Sequence, residues 1–268
     1  MTRLGALVTL VLSLAAVLLG APPASSYDGA PAGVAATPAA YTSAYSSSAA
    51  RRPAVKEVRV IGHSVKGRRI YAFRLGERGK GIPTVLVMST IHGNERAIRQ
   101  IPQALRDGRP IHGVDLWVIP TANPDGYARN TRKNAHGVDL NRNFPADWVH
   151  LTGHYASGPK PASEPETRAL MRFLRTVRPS RIVSFHQPLK AVDTAHKNKR
   201  FSRRLARALH LPLHTVTCGG GCHGTMTSWY NRRFRGTAVT VEYGAHPTRH
   251  RMRVEAPRQL LRLFGGHR

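Results

Sequence analysis

Acidic side chains are scarce in this chain: 268 residues carry 14 Asp and Glu against 41 Lys and Arg, a net charge of +27. Such a field draws polyanions and bears on the protein's surroundings without naming a substrate. Cysteine is nearly absent, and the two present, Cys218 and Cys222, limit the chain to one internal disulfide. Long apolar runs are missing beyond Leu19, so no later segment is long enough to span a bilayer. No internal repeat is present, which excludes a solenoid. No nucleic-acid-binding module accompanies the arginines, which are spread through the chain rather than gathered in one tail, so no specific nucleic acid is expected as a partner.

What is there begins with a leader. Arg3 precedes an uncharged apolar stretch from Leu4 to Leu19 and then Gly20-Ala21-Pro22-Pro23-Ala24-Ser25-Ser26, so residues 1–26 read as a secretory signal with a small-residue cleavage site. An uncleaved anchor helix is the alternative. Residues 27–52 are Ala, Ser, Pro, Gly, Tyr and Thr with few charges or large aliphatics, a composition that cannot repay ordering and is expected to be a disordered linker. Residues 53–268 keep 38 basic and 13 acidic residues and are long enough for one full core. The expectation is a secreted or cell-wall-associated monomer with no membrane span after processing, its charge directed at anionic wall polymers, anionic lipid surfaces or extracellular nucleic acid. Cys218 and Cys222 flank Gly219-Gly220-Gly221 and would form a short disulfide loop in an oxidising compartment. Free thiols, or a zinc site with His214 and His223, are the alternatives.

Within the body, residues 57–61 and 69–74 read as strands joined by a turn at Lys66-Gly67. Residues 84–88 and 116–119 are continuous apolar runs, the pattern of strands covered on both faces, and 182–185 and 238–241 add two more. Ser163-Glu164-Pro165-Glu166 reads as a capping box, after which Leu170, Phe173, Leu174 and Val177 recur at helical spacing. A second helix over 199–209 turns Phe201, Leu205 and Ala208 inward and Arg200, Arg203, Arg204 and Arg207 outward, and a third covers 253–263. Buried strands alternating with helices predict an α/β/α sandwich with a mixed, mostly parallel central sheet.

The chemistry sits at the strand ends. His92-Gly93-Asn94-Glu95 follows the third strand, and His186 closes the strand over 182–185. His and Glu three apart project to one side of a helical turn. A third ligand from a distant strand leaves one position of a tetrahedral metal open, the arrangement of a catalytic zinc. Asn123-Pro124-Asp125-Gly126-Tyr127 reads as a turn and leads to Arg132-Lys133-Asn134 and then to Gly137-Val138-Asp139-Leu140-Asn141-Arg142-Asn143-Phe144-Pro145. Ser163 to Thr167 and Thr240-Val241-Glu242 follow. In this order the motifs closely resemble the zinc metallocarboxypeptidase family, the funnelin-type enzymes.

The resemblance implies one zinc ion held by His92, Glu95 and His186. It implies that Glu242 is the general base, that Arg132 stabilises the developing oxyanion, and that Asn141 and Arg142 clamp the substrate's free carboxylate. Asp139 would orient a ligand histidine, His92. The chain departs from the digestive members, whose substrate-closing tyrosine should lie about twenty residues before Glu242, where the Cys218–Cys222 loop stands instead. Tyr230 is too close to Glu242 for the role, and Gly224 to Trp229, which should line the specificity pocket, offers no acidic residue. His186-Gln187-Pro188-Leu189, with Asp193 following, resembles the corresponding segment of the murein-peptide amidases, which cut the γ-D-glutamyl bond to meso-diaminopimelate. The expected function is hydrolysis beside a free carboxylate in cell-wall peptides. A general C-terminal carboxypeptidase and a non-catalytic cationic binding module are the rivals.

Overall fold

Among the described residues eight strands form, most of them where apolar, β-branched residues cluster: β1 (Val55–His63), β2 (Arg69–Gly76), β3 (Thr84–Ser89), β4 (Asp115–Ile119), β5 (Arg181–His186), β6 (Leu189–Asp193), β7 (Leu213–His214) and β8 (Thr237–Gly244). The structure, a computed structural model, describes residues 52–195, 197–218 and 222–268; the signal and linker readings, up to residue 51, lie outside them. The strands form one sheet in the order β1-β2-β4-β3-β5-β8-β6-β7. Its centre, β4-β3-β5-β8, is parallel, as is the β6–β7 pair at one edge, while β1–β2, β2–β4 and β6–β8 are antiparallel, so the expected mixed, mostly parallel sheet is present.

The two-residue period of the strands feeds two cores. On one face Val85, Val87, Val183 and Val239 meet Ile101 and Leu105 of α1 (Gln100–Arg106), Phe201 and Leu205 of α4 (Lys199–Leu209) and Leu260 of α6 (Ala256–Leu263). On the other, Leu86, Met88, Trp117 and Ile182 meet Leu170 and Phe173 of α3 (Pro165–Val177) and Trp229 and Tyr230 of α5 (Met226–Arg233). Each such side chain, wholly buried, contributes about 1.5–3 kcal/mol. Helices on both faces cover the parallel centre and leave the strand ends as the place for chemistry. Among the described residues, no helix is long and apolar enough to cross a membrane.

Several local expectations are corrected. Asn123 to Tyr127 does not form a simple turn. Asn123 Oδ1 accepts the Gly126 amide at 2.8 Å and caps α2 (Pro124–Arg129), with Pro at a first-turn position where its missing N–H costs nothing. Ser163 does not make a capping box: the N-cap of α3 is Glu164, without a side-chain cap, and Ser163 Oγ donates to Glu164 Oε1 at 2.7 Å. The Glu166 carboxylate turns away to accept the Val65 amide and Asn134 Nδ2. In α4 the four arginines face outward as expected, but Ala206 and Leu209 take the buried face and Ala208 is only half-buried. The final helix is preceded by a π-turn over Arg251–Glu255.

Candidate active site

The apolar strand β3 ends at Ser89, and the chain then makes a hydrogen-bonded turn in which the Glu95 amide donates to His92 O at 3.3 Å. This single turn sets His92 and Glu95 on one side, as their spacing predicts. Gly93 is required there because a Cβ would lie 2.0 Å from the Gly126 carbonyl carbon, at the start of α2. His186 ends β5, and parallel pairing places it beside Glu242 of β8. Gln187 ties the strand ends together: its Oε1 accepts the Ala97 amide at 3.2 Å, and its Nε2 donates to Gly244 O and Ala245 O.

His92, Glu95 and His186 are buried, and one ligating atom of each lies within 4.8 Å of the others. The outer ring nitrogens are held from behind, His92 Nε2 at 3.1 Å from Asp139 Oδ1 and His186 Nε2 at 3.1 Å from Ser184 Oγ. The two Nδ1 atoms therefore face each other at 3.3 Å. Glu95 Oε2 is buried 3.1 Å from His186 Nδ1 yet has no hydrogen-bond partner. Two converging imidazole nitrogens and an orphaned carboxylate oxygen are the donor set that suits zinc. The electrostatics agree. Burial depresses the His92 imidazolium, but the Glu95 and Asp139 carboxylates outweigh it and raise His92 to about 9. Burial likewise opposes ionisation of Glu95, but His92 and His186 bring it down to about 2. The site by itself draws a positive charge.

Around this point the motif over residues 139–142 folds as a 3-10 turn, Leu140–Arg142, with Asp139 capping it by accepting the Asn141 amide at 2.9 Å. Asp139 is fully buried and also receives Arg132, whose Nε and Nη2 lie 2.9 and 2.7 Å from Oδ2. Asn141 Oδ1 accepts the Met226 amide at the start of α5, which leaves its Nδ2 donors for another partner. The Arg142 guanidinium donates to Asn141 O at 2.8 Å. Gly224 has φ +61° and packs its Cα against the Arg142 carbonyl, where a Cβ would lie 2.1 Å from the oxygen. Glu242 is buried, with Oε2 3.4 Å from the Leu189 amide, and burial raises its carboxyl above the ordinary glutamate range.

All of the expected site residues except Asp139 line a single cleft of about 220 Å³, with Asp139 directly behind His92 and Arg132. Thr225, Thr227, Ser228 and Thr240 add hydroxyls to its wall, and Asp193 also lines it. Sequence reasoning missed Tyr155, which lies in the cleft on a 3-10 turn, Gly153–Tyr155. A tyrosine in a Gly- and His-rich loop carries no periodic or motif signal. Cys218 and Cys222 are joined as a disulfide at the cleft rim, so they do not form a second metal site. Among the described residues, His92, Glu95 and His186 are the only group of three or more metal-ligating side chains.

Comparison with known proteins gives the same picture. Residues 41–203 match the zinc carboxypeptidase family model. The chain is 36% identical over 166 residues to murein peptide amidase A of Escherichia coli K12, covering 54% of this chain and 64% of that one, so it spans less than two thirds of that relative. The crystal structure of a murein-tripeptide amidase from Escherichia coli O157 superposes with a TM-score of 0.67 at 28% identity, covering 82% of this chain and 96% of that one. Carboxypeptidase A from Helicoverpa armigera shares the fold, with a TM-score of 0.64 at 18% identity over 80% of this chain and 68% of that one.

Proposed function

The chain belongs to the zinc carboxypeptidase family of peptide hydrolases, and from that premise we propose that it hydrolyses a peptide or amide bond next to a free carboxylate in murein-type peptides. One observation carries the carboxylate requirement. Arg142 is only 4% exposed, lines the cleft, and forms no ion pair among the described residues. The Asp139 carboxylate acts on it through space without pairing with it; a buried guanidinium left without a paired counter-charge is costly, and a substrate carboxylate supplies both the charge and a match to its planar fork.

His92, Glu95 and His186 would hold the zinc ion, which when bound would activate water and polarise the scissile carbonyl. Glu242 takes the proton from the attacking water and returns it to the leaving amine; its raised pKa brings it closer to neutral working pH. Arg132, fixed by Asp139, stabilises the developing oxyanion. Asn141 and Arg142 hold the terminal carboxylate. The murein class rests on the likeness to the amidases and on Gln187-Pro188-Leu189 after His186. The γ-D-glutamyl bond to meso-diaminopimelate leaves a carboxylate on the leaving residue for Arg142, and the hydroxyl-lined wall with Asp193 suits that residue's zwitterionic side chain.

The enzyme acts outside the cytoplasm in this reading, supported by the run from Leu4 to Leu19 and by the disulfide. Its net positive charge keeps it near anionic wall polymers. A purely cationic binding module would give salt-sensitive binding without turnover, and the complete catalytic set argues against it. A panel of γ-D-glutamyl-meso-diaminopimelate peptide, ordinary peptides and their C-terminal amides tests the substrate. The murein peptide is expected to have the highest kcat/KM, and amidation of the leaving residue to cost about a hundredfold or more. Cleavage of ordinary peptides alone would remove the murein reading, and equal cleavage of amides would remove the carboxylate clamp.

A further inference from the structure

Arg132 and Arg142 are two cations at one cleft, yet they are secured differently. Arg132 lies on the Asp139 carboxylate, whereas Arg142 hydrogen-bonds only the backbone carbonyl of Asn141 and feels Asp139 through space, without an ion pair. What remains against Arg142 is an aromatic face: its guanidinium carbon lies 4.9 Å from the Tyr155 ring centroid, and that of Arg132 lies 5.4 Å from the same centroid. Both distances are within the range in which a ring quadrupole attracts a cation.

The Tyr155 turn is fixed to the clamp by the backbone. The Asp139 amide donates to Ala156 O at 2.7 Å, the Ala156 amide closes the turn on Gly153 O at 3.2 Å, and Lys133 Nζ donates to Gly153 O. On the far side Asn143 Nδ2 holds Ser157 O at 2.8 Å. The turn that carries the ring is therefore attached to the segment that carries Asn141 and Arg142. A second carboxylate in this place would also hold Arg142, but it would occupy the donors that the substrate carboxylate needs. A ring face attracts the guanidinium and accepts none of its in-plane hydrogen bonds.

We propose that Tyr155 is the positioning residue of the carboxylate clamp, holding Arg142 by its ring face so that the hydrogen-bonding fork stays free for substrate. This inference rests on the function proposed above. It accounts for a cleft that lacks a tyrosine in the Cys218–Cys222 segment but has one, Tyr155, on another loop.

The test uses the full zinc-loaded protein and its Tyr155→Phe and Tyr155→Leu variants, with zinc content and melting temperature checked for each. The substrates are a peptide with a free terminal carboxylate and its C-terminal amide. The phenylalanine variant is expected within about threefold of wild type in KM, and the leucine variant to raise KM for the free carboxylate by about tenfold or more. Its kcat should change less, because Asp139 still secures Arg132, and cleavage of the amide should be unaffected. A leucine variant with unchanged KM, equal losses on both peptides, or a phenylalanine variant as impaired as the leucine one would overturn the proposal. If wild type itself shows no preference for the free carboxylate, the functional reading fails and this inference falls with it.

Discussion

Glu242→Gln is expected to lower kcat by about a hundred- to ten-thousandfold while leaving one bound zinc per chain and an intact fold. Glutamine matches the shape of the buried side chain and keeps an oxygen for the Leu189 amide, so neither β8 nor its pairing with β5 is disturbed. What disappears is the ability to accept and return a proton. The native carboxyl is raised by burial, with the neighbouring Glu95 adding to the effect and His186 opposing it. Removing a charge from such a site costs no stability, so the melting temperature should hold or rise. The sign of the pH dependence follows. The base works when deprotonated, so wild-type kcat/KM falls as pH drops through its raised pKa, with the acid limb above the ordinary glutamate range. The glutamine variant's residual activity should lack that limb. Full activity in this variant, measured with zinc bound, would remove Glu242 from the chemistry.

Asp139→Asn is expected to have the next largest effect, because one carboxylate serves three partners. It backs His92 Nε2, holds Arg132 and caps the turn that carries Asn141 and Arg142. Losing the support of a ligand histidine typically weakens metal binding about 10–100-fold, and catalysis should fall further because Arg132 loses its anchor. Breaking a fully buried ion pair costs about 3–5 kcal/mol, and less here because the Arg132 side chain is 18% exposed. Burial works against the Asp139 carboxylate, but His92 and Arg132 outweigh it and hold its pKa well below the usual aspartate range. A depressed folded-state pKa contributes stability that is present above the unfolded value and lost as pH falls through the folded one. Denaturant unfolding should therefore separate wild type from variant at neutral pH, and the two should converge in acid. Equal zinc affinity and equal stability at neutral pH would show that Asp139 is not the anchor.

The parts of the structure that were legible in the sequence are those with a strong local pattern. The apolar runs of β3, β4, β5 and β8 and the periodic stripe of α3 came through because each buries whole faces. That the candidate site residues come together was legible because each belongs to a tight motif whose spacing the backbone needs, as with Gly93 between His92 and Glu95. The rest depends on tertiary contacts. β6 and β7 were not read as strands, since β7 is only two residues long and both form by pairing with elements distant in the chain. Asn123-Pro124-Asp125-Gly126 has turn chemistry, but a side-chain cap converts it to a helix start. Tyr155 was invisible because its role arises from Asp139 and Ala156 joining two loops.

Zinc stoichiometry combined with turnover of a γ-D-glutamyl-meso-diaminopimelate tripeptide, before and after chelation, tests the central claim most directly. One zinc per chain is expected, with cleavage that a chelator abolishes and added zinc restores. A protein that binds no zinc at His92, Glu95 and His186, or that cleaves the tripeptide equally well after its metal is stripped, would contradict the account.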